Sequence, residues 1–164
     1  MRIPFVDLKA QYQTIKEQVL DVTRQVYDSQ YFILGPHVSR LEEEIAEYCG
    51  AAHAVGVSSG SDALLASLMA LDIQPGDRVA TTTYTFFATA GAIARIGARP
   101  VFVDIDRETF NMDPDHLAQV IDRLPADQKA RLKAVIPVHL YGQCAEMDRI
   151  SQIAAEYGLS VIED

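Results

Sequence analysis

From residue 54 onward, short apolar segments alternate with segments of helical spacing, and this alternation limits the fold more than any other feature of the sequence. The apolar segments show little apolar–polar alternation, which is typical of strands that are buried on both faces. The pattern predicts an α/β fold, a mostly parallel sheet with helices on both faces. The predicted strands are 54–59, 78–83, 99–105, 132–140 and 159–163, and the predicted helices are 61–71, 86–97, 113–124 and 147–158.

Two further helices are predicted ahead of this alternation. Apolar residues recur at helical spacing over residues 8–29 and again from Val38 to Tyr48, after which Gly50 is expected to end the second helix. Because these helices stand outside the strand–helix alternation, we expect residues 1–53 to form an arm that leads into the α/β domain. Such an arm would pack on another surface, for example on a second subunit.

Charge and cysteine content exclude several classes of function. The net charge is -9, and the 14 basic residues are spread along the chain, which argues against binding to nucleic acid or to an anionic membrane surface. The opening residues lack the apolar core of a secretory signal. Cys49 and Cys144 lie far apart and form no metal-binding or disulfide pattern. The expected compartment is therefore the cytoplasm.

The segment VGVSSGSDALLASL contains the sharpest local motif, a turn from a predicted strand into a helix at residues 58–62. Gly60 would let the backbone approach a ligand, and the first N–H groups of a helix lack intrahelical acceptors and can bind phosphate. The alternative is an ordinary turn in which Ser61 or Asp62 caps the helix, and the residues alone favour it. The segment matches neither the GxxxxGKS nor the GxGxxG pattern.

Aromatic residues follow the next strand, in the segment TTTYTFFATAG. Tyr84, Phe86 or Phe87 could offer a flat face to a ring-shaped ligand at the carboxyl end of that strand. The alternative is that both phenylalanines belong to the core, and the spacing alone favours the core.

Asp164 follows the last predicted strand, where an acid could hold a cation or a protonated ring nitrogen, or could simply be solvated. His139 ends the fourth strand, and a lone histidine there is more often structural than catalytic. Asp104 and Asp106 follow the third strand, and without a third ligand they are interpreted as a solvated turn. A phosphate site, an aromatic face and an acid for a ring nitrogen together fit pyridoxal phosphate.

Several longer segments resemble one family across essentially the whole chain. They are FILGPHVSRLEEEIAEYCG, HAVGVSSGSDALLASLMAL, PGDRV, TYTFFATAGAI, GARPVFVDID, IPVHLYGQCAEMD and VIED. These blocks are similar to the DegT/DnrJ/EryC1/StrS family of pyridoxal-phosphate-dependent aminotransferases, which act on nucleotide-linked keto-sugars. The resemblance implies the aspartate-aminotransferase fold (fold type I), usually as a homodimer with active sites at the subunit interface. Residues 54–164 would then be an incomplete part of the large cofactor-binding domain.

The resemblance also implies roles for particular residues. Gly60, Ser61 and Asp62 match the family's phosphate-binding GTDAL segment, with serine in place of the commoner threonine. Phe86 matches the aromatic residue that stacks on the cofactor ring. Asp164 matches the acid that pairs with the pyridine nitrogen. The implied substrates are a nucleotide-linked keto-sugar and an amino donor, expected to be glutamate.

One family feature has no counterpart in the chain. The Schiff-base lysine of the family lies beyond the position of Asp164, and none of the four lysines present lies in a matching motif. The resemblance thus predicts an N-terminal portion that lacks the rest of the large domain and the small C-terminal domain. Two alternatives remain open: a sugar dehydratase of the same family, with histidine at the lysine position, and a non-catalytic homologue that binds or regulates.

Overall fold

The computed structural model describes residues 5–164, which form two compact units: one ends at Gly56 and the other spans Val57–Asp164. The α-helices are α1 (Leu8–Ser29), α2 (Pro36–Cys49), α3 (Gly60–Ala70), α4 (Phe87–Arg95), α5 (Pro114–Arg123), α6 (Ala126–Lys129) and α7 (Met147–Tyr157). The strands are β1 (Arg78–Thr82), β2 (Arg99–Val103), β3 (Leu132–Ile136) and β4 (Ser160–Val161). No helix within residues 5–164 combines the length and apolar character needed to cross a membrane.

The first unit contains the two predicted leading helices, which are confirmed. The Asp7 carboxylate caps α1 by accepting a hydrogen bond from the Ala10 N–H at 3.0 Å. Pro36 occupies the first turn of α2, where its missing N–H costs no intrahelical bond, and Gly50 ends that helix at φ 63°. Neither of these helices contains a buried residue.

The second unit contains a parallel sheet with strand order β2-β1-β3-β4, in which every strand pair is parallel. Helices α5 and α7 cover one face and α3 and α4 cover the other, so the predicted α/β architecture is confirmed. Alternate residues of the strands enter separate cores: Ala80 and Val135 belong to the α5–α7 side, whereas Val79 and Ala134 belong to the α3–α4 side. This explains why the strand segments are continuously apolar.

The predicted strand at 54–59 is wrong. Residues 54–59 are irregular, and the sheet of the described chain has four strands rather than five. A strand needs a hydrogen-bonded neighbour, and no segment of residues 5–164 pairs with this one. Accordingly, Val55 is 78% exposed. Two short elements were not predicted, namely α6 and a 3₁₀ turn at Leu140–Gly142.

Asn111 fixes the loop that follows β3. It is buried, its Nδ2 donates to the carbonyl oxygens of Gln143 and Cys144 at 3.0 and 3.1 Å, and its Oδ1 accepts from the Leu140 N–H at 3.1 Å. A single side chain therefore satisfies three backbone groups of the segment that begins beside His139.

Replacing Asn111 with alanine should lower the free energy of unfolding by about 1–3 kcal/mol, because buried backbone groups lose their partners. Urea unfolding followed by circular dichroism measures this change. Gln143→Ala is the matched control, since that residue contributes its backbone carbonyl to the loop. Equal unfolding free energies for the two variants would contradict the role assigned to Asn111.

Candidate functional site

The backbone ladder between β3 and the last residues of the chain positions Asp164. Beyond Val161 the pairing continues, since the Asp164 N–H donates to the Pro137 carbonyl at 3.0 Å and the Asp164 carbonyl accepts from the His139 N–H at 2.8 Å. The backbone N–H and the backbone oxygen of Asp164 are thereby both bound at the carboxyl end of the sheet. This is the edge at which ligands of open α/β folds bind.

The carboxylate of Asp164 is bound by helix α4. The hydroxyl of Thr89, which is fully buried, donates to Asp164 Oδ2 at 2.5 Å. The hydroxyls of Thr85 and Thr89 lie 2.9 Å apart, within hydrogen-bonding distance. Asp164 is thus not a freely solvated acid, although it is exposed on the side away from this contact. Neither threonine was identified from the sequence, yet their four-residue spacing before and within a helix places them on one face.

Phe86 and Phe87 both lie on the surface, so the core assignment that their spacing favoured is wrong. Phe86 is 78% exposed and Phe87 is 80% exposed. Phe86 stands immediately before α4, and its carbonyl accepts from the Thr89 N–H at 3.3 Å. An ideal Cβ on Gly91 would lie 3.0 Å from the Phe87 ring, so that ring packs along its own helix.

Tyr84 contributes a third aromatic group near the end of β1. Its ring centroid lies 6.1 Å from that of Phe110 in a tilted arrangement. Interaction with the Tyr141 hydroxyl raises the pKa of Tyr84 above its ordinary value. Tyr141 adopts a left-handed backbone conformation, with φ 55°.

The turn at the start of α3 is built differently from the sequence-based expectation. Ser59, rather than Ser61 or Asp62, caps the helix, because its side chain accepts from the Asp62 N–H at 3.1 Å. The hydroxyl groups of Ser58 and Ser59 both donate to the Asp62 carboxylate. These hydroxyls are therefore engaged within the turn, and the donors left at the helix start are the first backbone N–H groups and the Ser61 side chain.

Hydrogen bonds shift the acidity of Asp62. The hydroxyls of Ser58 and Ser59 lower the pKa of its carboxyl group, and the Arg95 guanidinium, with Nη1 3.9 Å from Oδ1, adds a smaller effect in the same direction. These contacts favour the ionised form of Asp62. A carboxylate held in this way stabilises the turn and repels other anions, so a phosphate would be bound by neighbouring groups.

Ser61 and Phe86 line one cleft of about 300 Å³, together with residues of α4 that include Gly91 and Arg95. The cleft joins the start of α3 to the start of α4. Because Thr89 of α4 also binds Asp164, the predicted phosphate, ring and acid residues lie on elements that meet at one edge of the sheet. Ser61 and Phe86 share a cleft, and Asp164 is linked to α4 through Thr89 without lining that cleft.

His139 bridges two segments beside Asp164. Its Nδ1 accepts from the Ala145 N–H at 3.1 Å, so the proton of the neutral ring lies on Nε2, which is 2.8 Å from Glu163 Oε2. The structural interpretation of His139 is supported by both contacts.

Asp106 begins a turn, as predicted, whereas Asp104 precedes it, just before the isolated β-bridge at Ile105. Asp106 Oδ1 accepts from the N–H groups of Glu108 and Thr109 at 3.0 and 2.8 Å, and these bonds lower its pKa. Within residues 5–164, no group of three or more His, Cys, Asp or Glu side chains is arranged to hold a metal ion.

Comparison with known proteins gives a family match and close relatives. A model of the DegT/DnrJ/EryC1/StrS aminotransferase family matches residues 13–164. The chain is 49% identical over 164 residues to the "Pleiotropic regulatory protein" of Geobacillus stearothermophilus, covering 100% of this chain and 42% of that protein. It is 44% identical over 162 residues to the UDP-2-acetamido-2-deoxy-3-oxo-D-glucuronate aminotransferase of Pseudomonas aeruginosa, covering 99% of this chain and 43% of that enzyme. The chain thus spans less than half the length of these curated relatives.

Solved structures share the fold. A DegT DnrJ EryC1 StrS aminotransferase from Brucella abortus superposes with a TM-score of 0.93 at 38% identity, over 99% of this chain and 44% of that one. NtdA from Bacillus subtilis, solved with bound cofactor PMP, superposes with a TM-score of 0.90 at 32% identity, over 99% of this chain and 36% of that one.

Replacing Ser58 with alanine should raise the pKa of Asp62 toward its ordinary value of 3.8, because the largest cause of the depression is removed. A depressed pKa stabilises the fold above the unfolded-state value, and this contribution disappears as the pH falls through the folded-state value. Carboxyl ¹³C NMR titration reads the pKa directly. Ser61→Ala should leave the titration of Asp62 unchanged, and an unchanged titration in the Ser58 variant would contradict the assignment.

Proposed function

This chain belongs to the DegT/DnrJ/EryC1/StrS aminotransferase family, and we propose that it forms part of the cofactor-binding domain of a pyridoxal-phosphate-dependent aminotransferase. The observation that carries this proposal is the placement of three groups on or beside α4. Ser61 and Phe86 line one cleft, and Asp164 is bonded to the helix that begins after Phe86. We propose residues 54–164 as the cofactor domain and residues 1–53 as its helical arm.

The chemistry of these groups fits pyridoxal phosphate. A Cβ added to Gly60 would meet no atom within 4 Å, so there is open space at the helix start, where backbone N–H groups and the Ser61 hydroxyl could bind a phosphate. The exposed Phe86 ring offers a stacking face, and Asp164 offers a carboxylate to a protonated ring nitrogen. Asp62 would act by holding the turn through Ser58 and Ser59.

When bound, the cofactor supplies an electron sink that stabilises a carbanion next to the substrate nitrogen. The residues of this chain would bind and orient it. Asp164 is the proposed catalytic residue among them, because an adjacent carboxylate favours the protonated form of a pyridine nitrogen. The covalent lysine of the family has no matching motif in the chain, so transamination itself is proposed for a protein that combines this segment with that lysine.

We propose a nucleotide-linked keto-sugar as the amino acceptor and glutamate as the amino donor. The name of the Pseudomonas aeruginosa relative, a UDP-linked oxo-sugar aminotransferase, supports this class of acceptor. We also propose that such a protein is a homodimer, with α1 and α2 packing against another subunit. Their lack of buried residues supports a partner surface.

A second candidate is a non-catalytic binding or regulatory homologue. It is favoured by the name of the relative that is 49% identical to this chain. The hydrogen bonds of Asp164 favour the aminotransferase over the regulatory homologue. A protein that only binds a phosphate group needs no carboxylate held in place for a ring nitrogen. A dehydratase of the same family would carry histidine in place of the Schiff-base lysine. That position lies outside the motifs that this chain matches.

Replacing Phe86 with alanine should weaken the binding of pyridoxamine 5′-phosphate several-fold. Loss of a stacking face costs about 0.5–1.5 kcal/mol beyond buried area. This probe carries the ring and phosphate of the cofactor without an aldehyde that would react with surface lysines. Equilibrium dialysis gives the Kd for the 164-residue chain.

Phe87→Ala is the matched control, because Phe87 lines the same cleft and is equally exposed, but its ring packs along α4. It should change the Kd less than Phe86→Ala does. Absence of saturable binding by the unmodified chain would contradict the proposed cofactor site, and equal losses in both variants would contradict the stacking role of Phe86.

A protein that carries this segment together with the lysine should transfer ¹⁵N from labelled glutamate to a UDP-linked 3-keto-sugar, because the amino group passes through the cofactor. Mass spectrometry of the sugar nucleotide measures the transfer. A deoxygenated product without label would identify the dehydratase, and an unchanged sugar despite tight cofactor binding would favour the regulatory homologue.

A further inference from the structure

Thr89 directs its hydroxyl out of α4 toward the last residue of the chain. A threonine within a helix commonly donates to the carbonyl four residues earlier. Here the Thr89 hydroxyl donates instead to Asp164 Oδ2, at 2.5 Å, and the threonine is completely buried. A buried hydroxyl that reaches a carboxylate 75 residues away ties two otherwise separate elements together.

The direction of the hydrogen bonds follows from the number of protons available. A hydroxyl can donate only one hydrogen bond. Thr89 donates to the Asp164 carboxylate, because a carboxylate can only accept. The bond of 2.9 Å between Thr85 and Thr89 must then be donated by Thr85. The two hydroxyls form a one-way relay that ends on Asp164.

The relay leaves Asp164 with a defined geometry. Its peptide N–H and carbonyl are both held by the ladder to Pro137 and His139, and its Oδ2 is held by Thr89. Within residues 5–164, Oδ1 has no hydrogen-bond partner. One carboxylate oxygen is therefore bound to protein, and the other is available to a ligand.

We propose that Thr89 is a positioning residue, which holds the Asp164 carboxylate so that Oδ1 meets the ring nitrogen of the cofactor. This role rests on the proposed function, and it acts through Asp164 without contact between Thr89 and the ligand. A carboxylate that is already ordered loses less rotational freedom when it binds. Fixing it in advance therefore adds affinity only for ligands whose ring nitrogen Asp164 can reach.

The test compares two probes that differ at the ring nitrogen alone. One is pyridoxamine 5′-phosphate, and the other is its 1-deaza analogue, in which carbon replaces that nitrogen. Thr89→Val keeps the shape of the buried side chain and removes the hydroxyl. It should weaken binding of pyridoxamine 5′-phosphate by about tenfold, the scale of one hydrogen bond to a charged group, and leave the Kd of the deaza analogue unchanged.

Two further variants control for side effects. Thr89→Ser restores a hydroxyl at the same place and should recover most of the lost affinity. Thr83→Val makes the same chemical change at an exposed position after β1, and it should alter neither Kd. Carboxyl ¹³C NMR of the ligand-free chain adds a readout that needs no cofactor, since the Asp164 resonance should move in Thr89→Val and stay in place in Thr83→Val.

Each contrary result has a distinct meaning. An Asp164 resonance that does not move in Thr89→Val would show that the hydrogen bond is absent and would overturn the proposal. Equal losses for both probes would overturn it as well, because Thr89 would then serve only to hold the fold. If the unmodified chain bound neither probe, the proposed function would fail first, and the role of Thr89 toward a ring nitrogen would fail with it.

Discussion

The pairing of β3 with the end of the chain is the interaction on which the candidate site depends. β3 is buried, and its ladder runs on past the last regular pair: the Ile162 N–H donates to the Val135 carbonyl at 3.0 Å, and the bonds of Asp164 to Pro137 and His139 follow. Pro137 has no N–H to donate, so the ladder uses only its carbonyl there. Every other contact of Asp164 presupposes this register, since a shift of one residue would turn its side chain to the opposite face.

Much of this framework could be predicted from the sequence, because its signals are local. Glycines at 50, 97 and 158 adopt positive φ at the ends of predicted helices, and Pro36 and Pro114 stand in first turns. The continuous apolar character of the segments around Val79 and Val135 correctly indicated strands covered on both faces. The rule that ligands bind at the carboxyl ends of parallel strands led to Phe86 and Asp164, whereas the turn at residues 58–62 follows no strand in the structure.

The errors fall where the outcome depends on residues distant in sequence. Residues 54–59 have the composition of a strand, but pairing decides whether a strand forms, and composition does not report a partner. Phe86 and Phe87 have the composition of a core, yet they lie beyond the carboxyl end of β1, at the start of α4, and both side chains are largely exposed. No sequence motif marks Thr89, because its hydrogen bond is to Asp164, which lies 75 residues further along the chain.

The two carboxylates of the site illustrate how the same chemistry serves different ends. Asp62 and Asp164 each accept hydrogen bonds from hydroxyl side chains, but the donors of Asp62 lie three and four residues before it, whereas Thr89 reaches Asp164 across the fold. The turn around Asp62 can therefore form together with its own helix, since its hydrogen-bond donors are all local. The geometry of Asp164 requires that β1, α4, β3 and the final segment have already met. It follows that the proposed phosphate end of the site is set by local structure, and that the end proposed to hold the ring nitrogen is defined only when the sheet is complete.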